Sequence, residues 1–252
     1  MRRLSRIPSV LRLAAIAALL AGCAATEAAP PTPIAPEAAA DPIILSVFSA
    51  GDAVERDWRK VKVWGEASFD LVALENEIAI RARTEESSAA LVRRMEIDPQ
   101  DCPIVEWSWR VDQMPQTADL TSRKSEDVAA SVFFAFGDPG PLLNPAPVPT
   151  LRYAWATEEN PVDEVIDSPY FPGILRTVVV RSGREALGGW VTERRNLIED
   201  YARAFGEAPE NAIEVVAIFT DSDHGPDTAE AYYRWAQLEC LEGPEAPSIF
   251  DE

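Results

Sequence analysis

Apolar and polar residues alternate with a period of two along much of the chain. From Ile104 to Val111, Val105, Trp107, Trp109 and Val111 fall on one side and Glu106, Ser108 and Arg110 on the other, the pattern of a strand with one buried face. Val128 to Phe136 alternates again, with Val128, Val132, Phe134 and Phe136 sharing a face, and Leu151, Tyr153 and Trp155 share another. Ser68 to Leu74 and Glu77 to Arg83 flank Glu75-Asn76, which predicts a hairpin whose turn lacks the favoured Asn-Gly. Ala89 to Ile97, Thr177 to Arg181 and Ala231 to Glu239 read as further strands. Ile213 to Asp223 is different, because it is apolar at both parities and then ends in two acids flanking a serine. That predicts a strand buried on both faces, in the middle of a sheet, which delivers Asp221 and Asp223 to a rim.

One segment follows a helical period instead. Val191, Leu197, Ile198, Tyr201 and Phe205 fall on one stripe, with Gly206 placed as a C-cap, so Thr192 to Phe205 is expected to be a helix packed on a sheet. The connections Asp138 to Thr150 and Asn160 to Pro172 are long and Pro-rich. They belong on the surface, where long loops on a β scaffold often bind ligands. Many short strands and one helix predict a mainly β fold, an antiparallel β-sandwich of jelly-roll type.

The N-terminus adds a destination. Arg2, Arg3, Arg6 and Arg12 precede the short apolar run Leu13 to Leu20, and Leu20-Ala21-Gly22-Cys23 follows. The run suits a signal peptide and is too short to span a bilayer. Leu-Ala-Gly-Cys resembles the bacterial lipobox, which implies cleavage before Cys23 and acylation of that residue. Acyl chains there would anchor the protein stably to a membrane. By resemblance to lipoprotein sorting rules, Ala24 implies the outer membrane, with the domain facing the periplasm. Residues 23–42 are rich in Ala and Pro and read as a tether. Residues 43–243 then form one sandwich-sized domain, and 244–252 an acidic tail.

Charge narrows the partners. The chain has 23 basic and 42 acidic residues. Four arginines leave with the leader, so the mature chain keeps 19 basic residues, a formal charge of −23. Nucleic acid and bare anionic lipid are poor partners for such a surface. Divalent cations or cationic partners are compatible with it, as is a simple solvated acidic surface.

In order along the chain, Ser87-Ser88-Ala89-Ala90-Leu91, Pro103 with Trp107-Ser108-Trp109-Arg110-Val111, Glu126-Asp127-Val128-Ala129 and Tyr153-Ala154-Trp155 resemble the bacterial envelope proteins grouped as domain of unknown function 3047. Val178 to Gly183, Trp190, Arg195-Asn196, Asp200-Tyr201, Phe205-Gly206 and Thr220-Asp221-Ser222-Asp223 extend the resemblance, which covers roughly residues 44–240. It implies no function. The order of elements is also loosely similar, in fold, to the galactose-binding jelly rolls of carbohydrate-binding modules. The chain departs from the family pattern at Ser125-Glu126-Asp127, where Gly-Asp-Asp is usual, at His224-Gly225 in place of Asn-Thr, and at Arg234-Trp235 in place of Gly-Asp.

Several residues carry candidate chemistry. Asp221, Asp223 and Asp227, with Glu126 and Asp127 from another strand start, offer hard oxygen ligands for Ca²⁺; the alternative is that the aspartates accept hydrogen bonds from loop amides. A zinc site is disfavoured by a single histidine, His224, and no clustered cysteine pair. Trp190, after Gly188-Gly189, and Trp235, beside Arg234, are the tryptophans most free to stack on a ligand together with His224. Trp107, Trp109 and Trp155 read as core. Cys102 and Cys240 lie at strand ends and are candidates for a disulfide in an oxidising compartment, against a free buried Cys102 acting as a small hydrophobe. The resulting expectation is a membrane-anchored β-sandwich that binds a glycan or another envelope component, including an envelope protein, without catalysis. A carboxylate-dependent glycan hydrolase or lyase, and a structural accessory subunit, are the competing readings.

Overall fold

The protein is described by a computed structural model that covers residues 42–50, 57–141 and 144–241. The expected leader, Cys23, the acidic tail and all of the tether but Pro42 lie outside the described residues. Two β-sheets pack face to face. The first contains, in spatial order, β11 (Val191–Asn196), β6 (Ile104–Gln113), β13 (Thr228–Cys240), β4 (Glu77–Glu85) and β3 (Ser68–Leu74). β1 (Ile43–Ser49) also pairs with β13. The second runs β2 (Arg59–Trp64), β5 (Ser88–Ile97), β12 (Ile213–Asp221), β7 (Val128–Phe136), β8 (Thr150–Ala156), β10 (Leu175–Ser182) and β9 (Val165–Asp167). Pairing is antiparallel throughout both sheets except between β8 and β10, which run parallel, so the sandwich is mixed at that edge.

The strands form where alternation or double-sided hydrophobicity demands burial. β12 lies between β5 and β7, and most of its residues are buried on both faces. Its inner residues, Val216 and Ile218, meet the ladder Val105, Trp107, Trp109 and Val111 of β6 in one core. Trp107 stacks on Tyr153 of the facing sheet at 5.1 Å, and Trp109 meets Trp155 at 5.9 Å. All four rings are fully buried; contacts of this size dominate the energetics of a sandwich core.

β13 is long enough to hold β4 beside Thr228–Tyr233 and β1 beside Trp235–Cys240. A bulge between Tyr233 and Trp235 changes its parity. Ala229, Ala231 and Tyr233 face inward before it, and Ala236, Leu238 and Cys240 after it. Between Glu75 and Asn76 both φ angles are positive, 53° and 67°, as a two-residue hairpin of the favoured twist requires.

The helix begins later than the apolar stripe suggests. Thr192 to Asn196 is the edge strand β11, hydrogen-bonded to β6, and α1 spans Leu197–Phe205. Asn196 sets the start, because its Oδ1 accepts from the backbone N–H groups of Ile198 and Glu199 at 3.0 and 3.2 Å. Gly206, at φ 88°, closes the helix by donating to the Ala202 carbonyl at 2.8 Å. Arg195 forms a two-pronged ion pair with Asp200 at 2.8 and 2.7 Å, and the Tyr153 hydroxyl donates to the same carboxylate at 3.0 Å. These three residues tie the helix to both sheets.

Cys102 and Cys240 are joined by a disulfide across 138 residues, where the start of β6 meets the end of β13. In the chain-entropy account a loop of that length is worth roughly 4–5 kcal/mol. Replacing both cysteines by serine should lower the unfolding free energy by about that amount in a denaturant titration. An unchanged midpoint would mean that the bond does not constrain the unfolded chain.

Candidate functional site

The outer face of the second sheet is covered only in part. The segments 137–141, 144–149 and 168–174, all containing proline, rise beside it and leave a groove of about 750 Å³. Its floor is the outward parity of three strands: Ala90 and Val92 of β5, Val215, Ala217 and Phe219 of β12, and Phe133 and Ala135 of β7. Small residues at the centre of this set keep the floor low. Pro145, Pro147 and Val148 form part of the wall. Trp64 on edge strand β2 and Phe171 in the β9–β10 loop come from opposite edges of the sheet and are 64% and 57% exposed.

One end of the groove is polar. β12 and β7 pair through Asp221 and Val128, which brings Glu126 and Asp127, just before β7, beside Asp221, Ser222 and Asp223. The His224 Nδ1 lies 3.0 Å from an Asp127 oxygen and 3.0 Å from an Asp223 oxygen. Its Nε2 lies 2.8 Å from the Tyr170 hydroxyl, and that hydroxyl also reaches the Arg123 carbonyl at 2.7 Å. Ser88 donates to Asp223 at 2.7 Å. The buried Arg152 donates to Glu126 at 2.7 Å and to the Thr177 hydroxyl at 2.6 Å.

These surroundings shift two protons. Burial, and then the negative charges of Asp223 and Asp127, push the Asp221 carboxyl up to about 8. Burial also raises Asp127, although its hydrogen bonds with His224 oppose the change. At neutral pH the groove end therefore holds one carboxyl, that of Asp221, which keeps its proton beside two acids that contact one imidazole.

The structure brings together four of the five acids proposed for calcium. Glu126 is committed to Arg152, while Asp127, Asp221 and Asp223 cluster. Asp227 lies apart and accepts from the Gln116 backbone N–H at 3.3 Å. Asp127, Asp223 and His224 each present a ligand atom within 4.8 Å of the others, a mixed oxygen and nitrogen set rather than the all-oxygen shell that calcium prefers. His224 lines the groove. Trp190 and Trp235 do not: Trp190 stacks under Arg234 at 4.6 Å, and Trp235 pairs with Ser108 on the outer face of the first sheet.

Arg152, Tyr170, Trp64 and Phe171 complete the site without having been singled out in the sequence. Arg152 carried a signal, because an arginine on the parity opposite Leu151 and Tyr153 needs a buried acid. Tyr170 and Phe171 sit in a loop whose path no local pattern specifies.

The family model described as Protein of unknown function (DUF3047) matches residues 56–236. The chain belongs to this family. No curated protein matches it. Solved structures of similar outline include the carbohydrate recognition domain of Emp47p, at 12% identity over 73% of this chain and 88% of that one, with a TM-score of 0.40. A carbohydrate-binding module specific for non-crystalline cellulose, CBM28, matches at 11% identity over 79% and 97%, with a TM-score of 0.38. The enzymatically active domain of tailspike protein 4 from bacteriophage CBA120 matches at 8% identity over 77% of this chain and 21% of that one, with a TM-score of 0.39. At these scores the likenesses assign neither ligand nor activity to this member of DUF3047.

The raised Asp221 carboxyl has a measurable consequence. Its folded-state value of about 8 exceeds the ordinary 3.8, so the stability it confers is complete below pH 4 and is lost as pH rises towards 8. Asp127 adds a contribution of the same sign. Melting temperature should therefore fall across that window and level off above it, and Asp221→Asn should flatten much of the slope. Identical slopes in the two proteins would show that Asp221 is not held neutral.

Proposed function

We propose that this DUF3047 member is an envelope lipoprotein whose sandwich binds a glycan or another envelope component in the groove of the second sheet, without catalysis. The observation that carries the binding reading is the groove itself. The outer face of β5, β12 and β7, apolar along the groove floor and flanked by exposed aromatic side chains, ends in a cluster of hydrogen-bonding groups. Concave sites with a mostly apolar lining and a few convergent polar groups are the usual form of small-ligand sites. Two long Pro-rich loops hold the walls, so the cleft is largely formed before any ligand arrives. The signal run and Cys23 support placement at a membrane, with the Ala- and Pro-rich segment as the tether. The acids at the groove end are also proposed to accept a divalent cation, calcium in the first instance.

A second reading is a glycan hydrolase or lyase. The raised Asp221 carboxyl favours it, since a carboxyl still protonated at neutral pH in a cleft can act as a general acid.

The test is a binding titration of a panel of envelope oligosaccharides and lipid extracts, repeated with Ala217→Trp, which fills the centre of the floor, and with millimolar calcium. Binding that Ala217→Trp weakens more than about ten-fold, with ligand recovered intact, is the expected result. Recovery of cleaved ligand would transfer the site to the enzyme reading, and binding unaffected by Ala217→Trp would remove the groove from the function. The anchor is tested separately. Cys23→Ser should release the protein from membranes or block its processing, and retention in the membrane fraction at the mature mass would overturn the lipoprotein assignment.

A further inference from the structure

The groove is two environments joined end to end. Its length is floored by Val61, Ala90, Val92, Ala135, Val215 and Ala217, none of which offers a side-chain hydrogen bond. Sugars present hydroxyls on most of their periphery, and along this floor those hydroxyls would lose water without gaining partners, a cost of about 1–3 kcal/mol each. An extended hydrocarbon body loses nothing there and gains in proportion to the apolar area it buries. The exposed rings of Trp64 and Phe171 are then positioned to close over such a body from the two edges of the sheet.

The polar end has the opposite character, and its charges do not balance. Glu126 is neutralised by Arg152 at 2.7 Å. Asp127 and Asp223 are left with one imidazole, that of His224, which both contact at 3.0 Å, and Asp221 lies beside them. The nearby Arg123 is turned away: its guanidinium stacks on the Tyr170 ring at 5.2 Å and its Nε donates to the Pro169 carbonyl at 2.6 Å. Asp221 and Asp223 both line the groove. An anionic head would be repelled here, and a neutral head would leave the excess charge in place. A protonated amine would offset it and donate up to three hydrogen bonds.

We infer that the groove takes an amphiphile with an extended apolar body and a single protonated amine, the body lying on the outer face of β5, β12 and β7 and the amine among Asp127, Asp221 and Asp223. The inference rests on the reading of the groove as a binding site and supplies the chemistry of its ligand. Selectivity comes from the acidic end, and the gain from apolar contact is shared by any amphiphile of equal length.

The test compares dodecylamine with dodecyl sulfate and dodecyl maltoside, all below their micelle concentrations, by calorimetry and by tryptophan fluorescence. The expected result is that the amine binds at least ten-fold more tightly than either analogue. The double variant Asp127→Asn, Asp223→Asn should bring the three within about three-fold of one another. Trp64→Ala and Phe171→Ala, both at exposed positions, should weaken all three alike, and unchanged melting temperatures would show that the folds are intact. Equal affinities in the wild type, or a preference for the sulfate, would overturn the inference. Envelope oligosaccharides that bind in an Ala217→Trp-sensitive manner while dodecylamine does not would overturn it and leave the binding reading standing. A groove that binds neither would overturn both.

Discussion

The organisation of this domain depends on a strand that must be buried on both faces. β12 carries Val216 and Ile218 inward and Val215, Ala217 and Phe219 outward, and neither set can be left in water without losing the gain of burying it. The inner set is covered by the aromatic ladder of the opposite sheet. Among the described residues no second sheet or helix covers the outer set along its length, and the segments 137–141, 144–149 and 168–174 only wall it in. A cleft with an apolar floor follows from that incomplete cover. The strand then ends in Asp221, so the same element that makes the floor also delivers a carboxyl to the end of the cleft.

Charge at that end is handled in two ways. Glu126 and Arg152 are both almost fully buried and satisfy one another, with Thr177 taking a further guanidinium donor. Removing either partner alone would leave a buried charge uncompensated, which costs about 3–5 kcal/mol. Among the described residues no arginine pairs with Asp127, Asp221 or Asp223 in this way. Asp127 and Asp223 divide one imidazole, and Asp221 accepts from the Asp223 backbone N–H and retains its proton. The first arrangement fixes loop 125–127 to β8 and so gives the second its geometry. The negative charge is stored next to the cleft rather than neutralised away from it.

The strands of the core could be read in the sequence because their cause is local. The alternation in Val105-Glu106-Trp107-Ser108-Trp109 is itself the requirement to bury one face, and it holds whatever the partner strand is. The edge strands β2 and β11 could not be read that way. Lys60, Val61, Lys62 and Val63 border solvent, and Glu193 to Asn196 is held as a strand by the edge of β6, so the helical stripe that starts at Val191 was misleading as far as Asn196. The bulge at Arg234 belongs to the same class. It turns Trp235 to the outer face of the first sheet, far from the acids, and nothing in Tyr233-Arg234-Trp235 announces it. Within the site, Asp221, Asp223, Glu126 and Asp127 were legible because they end or begin strongly apolar strands. Tyr170 was not, because its contact with His224 depends on the path of a loop fixed by tertiary packing.

The same geometry bears on whether the site cuts or holds its ligand. Hydrolysis of a glycosidic bond needs two carboxyl groups on opposite sides of it, about 5–9 Å apart. Here Asp127 and Asp223 both contact one nitrogen of His224 at 3.0 Å, so the imidazole stands between them. Asp221 is the acid with the suitable proton, yet its carboxylate neighbours lie at its own end of the groove and the floor leading away from it is aliphatic. The arrangement has what a binding end needs, namely buried acidic groups, fixed donors and acceptors and a dry approach.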